Sequence, residues 1–145
     1  MEIYTIGFTK KAAEQFFELL KEHGIKRLVD VRLNNSSQLA GFTKQTDLNY
    51  FLREICGADY VHEPLLAPTP DLFDAYKKHG GSWEDYERGF ILLMQERSIE
   101  STIDRTLFTV PTVLLCSEPT ADRCHRRLVA EYLQKQWGGI QIIHL

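Results

Sequence analysis

Residues 113–126 read VLLCSEPTADRCHR, and this stretch decides the fold. It is typical of a short buried strand, a sharp loop and the opening of a helix. Two thiols, an imidazole, a carboxylate and guanidinium groups lie around that loop. In open α/β sheets, ligands bind at the carboxyl ends of strands, beside the amino ends of helices. The pattern therefore places a candidate site around Cys116 and Glu118.

The rest of the chain alternates the same two kinds of segment. β-prone runs predict further strands at 2–6, 27–31, 59–62 and 140–144, with helical periodicity between them. The hydroxyl residues Thr9, Thr46, Thr69 and Ser82 are the predicted caps at the start of four helices, and two more helices cover 99–106 and 121–137. We expect a single-domain, Rossmann-like three-layer α/β fold over residues 1–145, with a mainly parallel sheet of about five strands and helices on both faces.

Composition narrows the class of protein. The 145 residues suit one domain, and no apolar run approaches the length of a membrane span. The net charge of −3 argues against bulk attraction to nucleic acid. Three cysteines without a dense framework, and an opening unlike a signal peptide, predict a cytoplasmic protein with reduced thiols. We therefore expect no stable disulfide between Cys116 and Cys124, and the oligomeric state stays open.

Cys116 has two interpretations. A thiol at a strand end facing a helix amino terminus has a lowered pKa and is a better nucleophile. Alternatively, Cys116 is a structural core residue, since cysteine is among the most buried residue types. The phosphatase pattern of Cys, five residues and Arg is not met, because Arg123 follows after six.

A metal is the next possibility, because Cys116, Cys124 and His125 offer zinc-ligand atoms. The sequence has neither paired CxxC knuckles nor an HExxH helix, and adjacent residues on a helix point about 100° apart. We therefore predict no metal. The alternative has Cys124 buried and His125 hydrogen-bonded near the strand end.

Asp30 and Arg32 follow the second strand and project to the same side if that strand continues. The carboxylate suits a base or an orienting acceptor, and the guanidinium suits bidentate contact with phosphate or carboxylate. The alternative is a mutual salt bridge. Arg123, Arg126 and Arg127 are candidate anion contacts, and a solvated helix face is the ordinary alternative for this triplet.

We predict that residues 33–45 form a loop at the site, because this segment lacks clean periodicity and long loops inside compact domains are often functional.

The motifs described so far, together with this loop, resemble those of domain-of-unknown-function family 488, small cytoplasmic proteins of bacteria and archaea. The residues that carry the resemblance are Thr5, Ile6, Gly7, Asp30, Val31, Arg32, Gly41, Phe42, Lys44, Cys116, Glu118, Cys124, His125 and Arg126. The resemblance implies a Rossmann-like domain whose motif residues converge, and it implies no particular reaction, substrate or cofactor.

The loop departs from the family pattern at three positions. Gln38 stands where the family usually has Arg, and Asn35 and Ala40 stand where it usually has prolines.

These residues together predict a small enzyme that acts on a phosphate-bearing or nucleotide-like ligand. The acid/base candidates are Asp30, Glu118 and His125, and Cys116 is the candidate nucleophile. The candidate ligand contacts are Arg32, Phe42, Lys44 and Arg126. The alternatives are a non-catalytic nucleotide or nucleic-acid binding module and a thiol-based redox or metal sensor.

The candidate residues can form one site only if the strands ending at Val31 and Cys116 lie close together in the sheet. Given that geometry, we expect Arg32→Lys to weaken anion binding by roughly 1–3 kcal/mol with little change in fold stability.

Overall fold

A five-stranded, wholly parallel sheet forms the centre of the computed structural model, which describes residues 1–36 and 41–145. Its strands are β1 (Glu2–Gly7), β2 (Arg27–Asp30), β3 (Asp59–His62), β4 (Thr112–Cys116) and β5 (Gln141–His144). The order across the sheet is β3-β2-β4-β1-β5. The predicted α/β class and parallel sheet are confirmed.

Helices cover both faces of this sheet. They are α1 (Ala13–Glu22), α2 (Gln45–Phe51), α3 (Pro70–Lys77), α4 (Trp83–Glu96), α5 (Ile99–Thr102) and α6 (His125–Trp137). Successive strand residues point to opposite faces, so the core has two halves. Ile6 and Leu115 pack with Phe16 of α1, whereas Val29 and Leu114 pack with Phe90 of α4. Within the described residues, no helix has the length and apolar character needed to cross a membrane.

Two predicted helix caps are confirmed. The side chain of Thr69 accepts a hydrogen bond from the Leu72 amide at 3.2 Å, and Ser82 accepts one from the Asp85 amide at 3.1 Å. Each hydroxyl satisfies an amide that has no partner within its own helix.

Two other predicted starts are wrong. Helix α1 begins at Ala13, because Lys10 has a φ of 64° and the Thr9 amide bonds to Ser117 O at 3.0 Å. That contact draws Thr9 into the loop after β4. Helix α2 is preceded by extended Lys44, and Thr46 lies inside it.

The ends of other helices also differ from the predictions. The π-helical turn Leu52–Cys56 follows α2, and its Ile55 side chain is 41% exposed. The predicted helix over 99–106 stops at Thr102, and a separate 3₁₀ turn follows at Arg105–Phe108.

The last helix begins at His125 instead of residue 121. Cys124 precedes it in an extended conformation, with φ −137° and ψ 138°. This difference changes where the Cys124 side chain lies, and it matters for the site.

Strand order brings the two motif-bearing strands together. β2 pairs directly with β4, with Asp30 opposite Leu115, and the Val31 amide bonds to Leu115 O at 3.1 Å. β4 also separates β2 from β1, so the two strands that α1 connects are not neighbours in the sheet. The chain after Asp30 and the chain after Cys116 therefore leave the same edge of the sheet, side by side.

Candidate functional site

A cavity of about 220 Å³ lies at this carboxyl edge. Arg32, Cys116 and His125 line it, with Phe8, Leu33 and Phe73 as its apolar residues. Three of the predicted site residues therefore meet at one cavity. The residues come from the segments after β1, β2 and β4, from α3 and from the start of α6.

A thiol and an imidazole lie in contact beside this cavity. Cys116 Sγ is 3.6 Å from His125 Nδ1, and His125 Nε2 is 2.6 Å from Val31 O. A carbonyl oxygen only accepts hydrogen bonds, so Nε2 carries the ring proton and donates a hydrogen bond to Val31 O. Nδ1 is therefore the nitrogen without a proton, and the sulfur lies 3.6 Å from it and 3.9 Å from Nε2, beside the ring instead of on the axis of the Nδ1 lone pair. A thiol, a ring nitrogen that can accept its proton and a carbonyl that holds the ring are thus neighbours.

The surroundings favour the thiolate form of Cys116. The Cys124 thiol donates a hydrogen bond to the Cys116 sulfur and holds the pKa of Cys116 below the ordinary thiol value, against burial, which raises it. The Ser117 amide and the positive charge of Arg126 also lower this pKa. Burial raises the pKa of Cys124 well above the ordinary value. The two thiols thus differ in character, with Cys116 the more acidic.

Asp30 and Arg32 form the mutual salt bridge that was the alternative interpretation. Arg32 Nε donates to Asp30 Oδ1 at 2.9 Å, and Nη2 donates to Oδ2 at 2.8 Å. Tyr60 donates to Oδ2 at 2.5 Å, and Arg32 Nη2 also donates to Thr43 O at 2.7 Å. Asp30 is fully buried and lies behind Arg32, so its carboxylate orients the guanidinium.

Arg126 is fully buried, so its interpretation as a solvated helix face is wrong. Its Nη1 donates to Glu118 O at 2.7 Å, and its Nε donates to Thr5 Oγ1 at 3.4 Å. A Cβ added to Gly7 would lie 1.6 Å from Glu118 O, so the loop after β4 needs glycine there. Arg126 and Gly7 thereby hold this loop against the end of β1.

Glu118 lies at the rim of the site. Its Oε1 accepts from Lys77 Nζ at 2.8 Å, and both side chains are more than one third exposed. Its side chain lines a neighbouring cavity of about 20 Å³, which it shares with Cys116 and His125. That volume is close to the minimum for one water molecule.

Phe42 and Lys44 lie elsewhere. The Phe42 ring packs against Phe16 and Phe17 on the α1 face of the sheet, with centroids 5.5 and 6.0 Å away. Lys44 is the extended residue before α2 and is absent from the cavity lining. Gln38 and Ala40 lie outside the described residues.

Several residues of the site have no signal in the sequence. Tyr60 reaches Asp30 from β3, and Val31 contributes only its carbonyl oxygen. Phe73 comes from α3 and Phe8 from the turn after β1, where the ring lies 5.5 Å from the Arg32 guanidinium. Their roles depend on which segments the fold brings together, so no local pattern identifies them.

One group of side chains has the composition of a metal site. Ligand atoms of Cys116, Cys124 and His125 all lie within 4.8 Å of one another. The argument that Cys124 and His125 point apart on a helix is wrong, because Cys124 precedes the helix in extended form.

A larger open cavity, of about 640 Å³, lies at the opposite end of the sheet. Arg27 and Asp59, the first residues of β2 and β3, line it together with Arg53. Cys116 and His125 lie at the other edge. The size of a cavity alone therefore does not identify the site that holds the thiol and the imidazole.

The chain matches the family model described as domain of unknown function DUF488 over residues 12–133. The match covers most of the chain and includes Asp30, Cys116 and His125, so this protein belongs to the DUF488 family. Comparison with curated proteins and with solved structures gave no match.

Proposed function

We propose that this protein is an enzyme that transfers a group from a small phosphate-bearing ligand, with Cys116 as nucleophile and His125 as its base. One observation carries the proposal: the Cys116–His125 pair and the Arg32 guanidinium line the same cavity of about 220 Å³. A nucleophile and an anion contact that share one cavity are arranged to act on one molecule.

The anion contact comes from Arg32. Its hydrogen bonds to Asp30 and Thr43 use Nε and Nη2. Among the bonds found within residues 1–36 and 41–145, none uses Nη1, so this nitrogen is the donor for an anion. The Asp30 carboxylate neutralises part of the Arg32 charge. The amino end of α6, which begins at His125, adds positive potential beside Cys116.

The cavity sets the size of the ligand. Its volume of about 220 Å³ is below the range of roughly 300–1,000 Å³ that is usual for drug-sized ligands. Phe8, Leu33 and Phe73 give it apolar walls. A phosphate ester with a short organic part fits this description better than a dinucleotide.

The proposed reaction has two steps. The Cys116 proton passes to His125 Nδ1, and Sγ forms a bond to the electrophilic atom of the ligand. The bond to the leaving group breaks with its electron pair, and the leaving group takes the proton from His125. Water, deprotonated by His125, then attacks the covalent intermediate and restores the thiol. The net change is hydrolysis of one bond.

A thermal-shift screen tests the ligand class. The probes are inorganic phosphate, short alkyl phosphates and nucleoside monophosphates. A probe present at 100 times its dissociation constant stabilises the fold by about 2.7 kcal/mol. We expect an alkyl phosphate to stabilise the wild type and Arg27→Lys, the control at the opposite edge, and to stabilise Arg32→Lys much less.

Covalent labelling tests the nucleophile. We expect iodoacetamide to modify Cys116 before Cys56, and the stabilising phosphate to slow labelling of Cys116 only. Mass spectrometry of peptides measures both rates. Preferential labelling of Cys56, together with a screen in which no phosphate stabilises the wild type, would refute the proposal.

A second candidate is a thiol-based redox function, which the closeness of the two thiols favours, since the sulfurs of Cys116 and Cys124 lie within 4.8 Å of each other. Here the Cys116 thiolate attacks a disulfide of the substrate, and Cys124 then displaces the substrate thiol to leave a Cys116–Cys124 disulfide. Thiol trapping in cells distinguishes the two functions. A pair that is largely oxidised favours the redox function and contradicts our prediction of reduced thiols.

A further inference from the structure

The cluster of Cys116, Cys124 and His125 has a second chemical capacity. All three side chains are at least 95% buried, and their ligand atoms lie within 4.8 Å of one another. Two thiolates and an imidazole form one of the ligand sets found in zinc enzymes. The cluster is formed by the end of β4 and the residues around the start of α6.

The distance between two of the ligand atoms suits a tetrahedral metal. Bonds of about 2.3 Å to sulfur and 2.0–2.1 Å to nitrogen, at tetrahedral angles, place the two atoms roughly 3.6 Å apart. Cys116 Sγ and His125 Nδ1 are 3.6 Å apart. Cys124 reaches them because its extended conformation, at the residue before α6, releases it from the helical direction.

The partner of His125 is an independent indication. A histidine that binds a metal through one ring nitrogen almost always donates the other N–H to a carboxylate, a carbonyl or water. His125 Nε2 donates to Val31 O at 2.6 Å, which leaves Nδ1 without a proton, 3.6 Å from Cys116 Sγ. The tautomer that a metal needs is therefore present, and a turn of the ring, whose Nε2 is 3.9 Å from the same sulfur, brings the Nδ1 lone pair onto the metal.

We propose that Cys116, Cys124 and His125 bind one divalent cation of the zinc class. Both thiols lose their protons on binding, and the two thiolate charges balance the cation. Three protein ligands leave a fourth coordination position. All three side chains line the neighbouring cavity of about 20 Å³, so this position opens into that cavity, which is close to the size of one water molecule.

The metal and the nucleophile exclude each other. A cation bound to Cys116 Sγ engages the lone pair that attacks a substrate, so metal loading stops covalent chemistry at this sulfur. This regulatory consequence rests on the proposed function, whereas metal binding itself does not.

Cobalt titration of the reduced full-length protein tests the binding. Tetrahedral cobalt with thiolate ligands gives intense visible absorption. We expect one equivalent of Co²⁺ to produce it, Zn²⁺ to displace it, and Cys124→Ser to abolish it. Cys56→Ser is the matched control. It should keep the signal, because Cys56 is far from Cys116 in the sequence and packs on the α1 face of the sheet.

Two further measurements keep the result interpretable. Circular dichroism without metal shows whether Cys124→Ser folds. In the wild type, which needs no substitution, one equivalent of Zn²⁺ should slow iodoacetamide labelling of Cys116 at least tenfold and leave Cys56 unchanged. The proposal is overturned if the wild type gives no cobalt absorption, if folded Cys124→Ser keeps it, or if Zn²⁺ does not protect Cys116.

The outcomes separate this proposal from the enzymatic one. Cobalt absorption without stabilisation by any phosphate supports the metal site and counts against the proposed function. Stabilisation by phosphate without cobalt absorption does the reverse.

Discussion

Arg32 and Arg126 are two buried arginines at the same edge of the sheet, and the sequence makes both candidate anion contacts. Arg32 pairs with the Asp30 carboxylate through two hydrogen bonds and borders the cavity. Arg126 bonds to neutral oxygens of Glu118 and Thr5, and no ion pair of Arg126 occurs among the described residues. The Asp30 carboxylate holds the Arg32 guanidinium at the cavity, whereas the Arg126 guanidinium holds a loop in place.

Truncation of Arg126 should have the largest effect on stability. Arg126→Ala removes two hydrogen bonds and leaves a cavity beneath the loop after β4, so we expect the free energy of unfolding to fall by about 4 kcal/mol. Urea denaturation measures it. Arg127→Ala is the matched control on the same helix, because its partly exposed pairs with Glu87 and Glu131 contribute about 1 kcal/mol or less. Equal losses in the two variants would contradict the structural role of Arg126.

The variant Gly7→Ala should displace the loop after β4, which Arg126 also contacts. The added Cβ would lie 1.6 Å from Glu118 O, a backbone atom, so the loop must move. We expect a loss of about 3 kcal/mol in urea denaturation. In Gly41→Ala, the comparison variant, the Cβ meets no described atom within 4 Å. Wild-type stability in Gly7→Ala would show that the loop yields freely and that Arg126 does not hold it.

The variant Arg32→Lys tests whether Arg32, unlike Arg126, contacts a ligand. The variant keeps the charge and loses the planar fork, so phosphate binding should weaken by about tenfold, or about 1.4 kcal/mol. The variant also disrupts the two buried hydrogen bonds between Arg32 and Asp30, which the sequence does not reveal. We therefore expect the free energy of unfolding to fall by about 2 kcal/mol. Thermal shift and urea denaturation measure the two effects. If the phosphate response survives in a destabilised protein, Arg32 has only a structural role.

The smallest expected effect is on pH dependence. Burial, and then the positive charge of Arg126, lower the pKa of His144, whose Nδ1 lies 2.6 Å from Thr5 Oγ1. An unfolded histidine titrates near pH 6.5, so it gains its proton before the folded one does. His144 therefore contributes stability above about pH 6.5 that is lost as the pH falls through its folded pKa.

The variant His144→Gln should remove part of this loss. Its unfolding free energy should fall less than that of the wild type between pH 7 and pH 5, and His79→Gln, at an exposed position, serves as the control. A stability curve for His144→Gln that stays parallel to the wild-type curve would contradict the lowered pKa of His144 in the folded protein.

Local sequence determined the elements of the fold. Apolar runs such as Val113–Leu115 are too short for helices and pack between two layers, and hydroxyl side chains such as Thr69 and Ser82 cap helices within three residues of themselves. Asp30, Arg32, Cys116 and His125 could be chosen as site residues for the same reason, since each follows a recognisable strand or opens a helix. These signals act over a few residues and need no knowledge of the rest of the chain.

Only the tertiary structure decided how these elements combine. The placement of β4 between β2 and β1 brings Cys116 beside Arg32, and it depends on the pairing of β4 with residues 85 positions earlier in β2 and 109 positions earlier in β1. The burial of Arg126, and the turn that returns Cys124 to Cys116, depend on the same long-range packing. Periodicity records which side of an element is apolar. It does not record which other element covers that side, and this is why the sequence could predict the candidate residues but not the close approach of Cys116, Cys124 and His125.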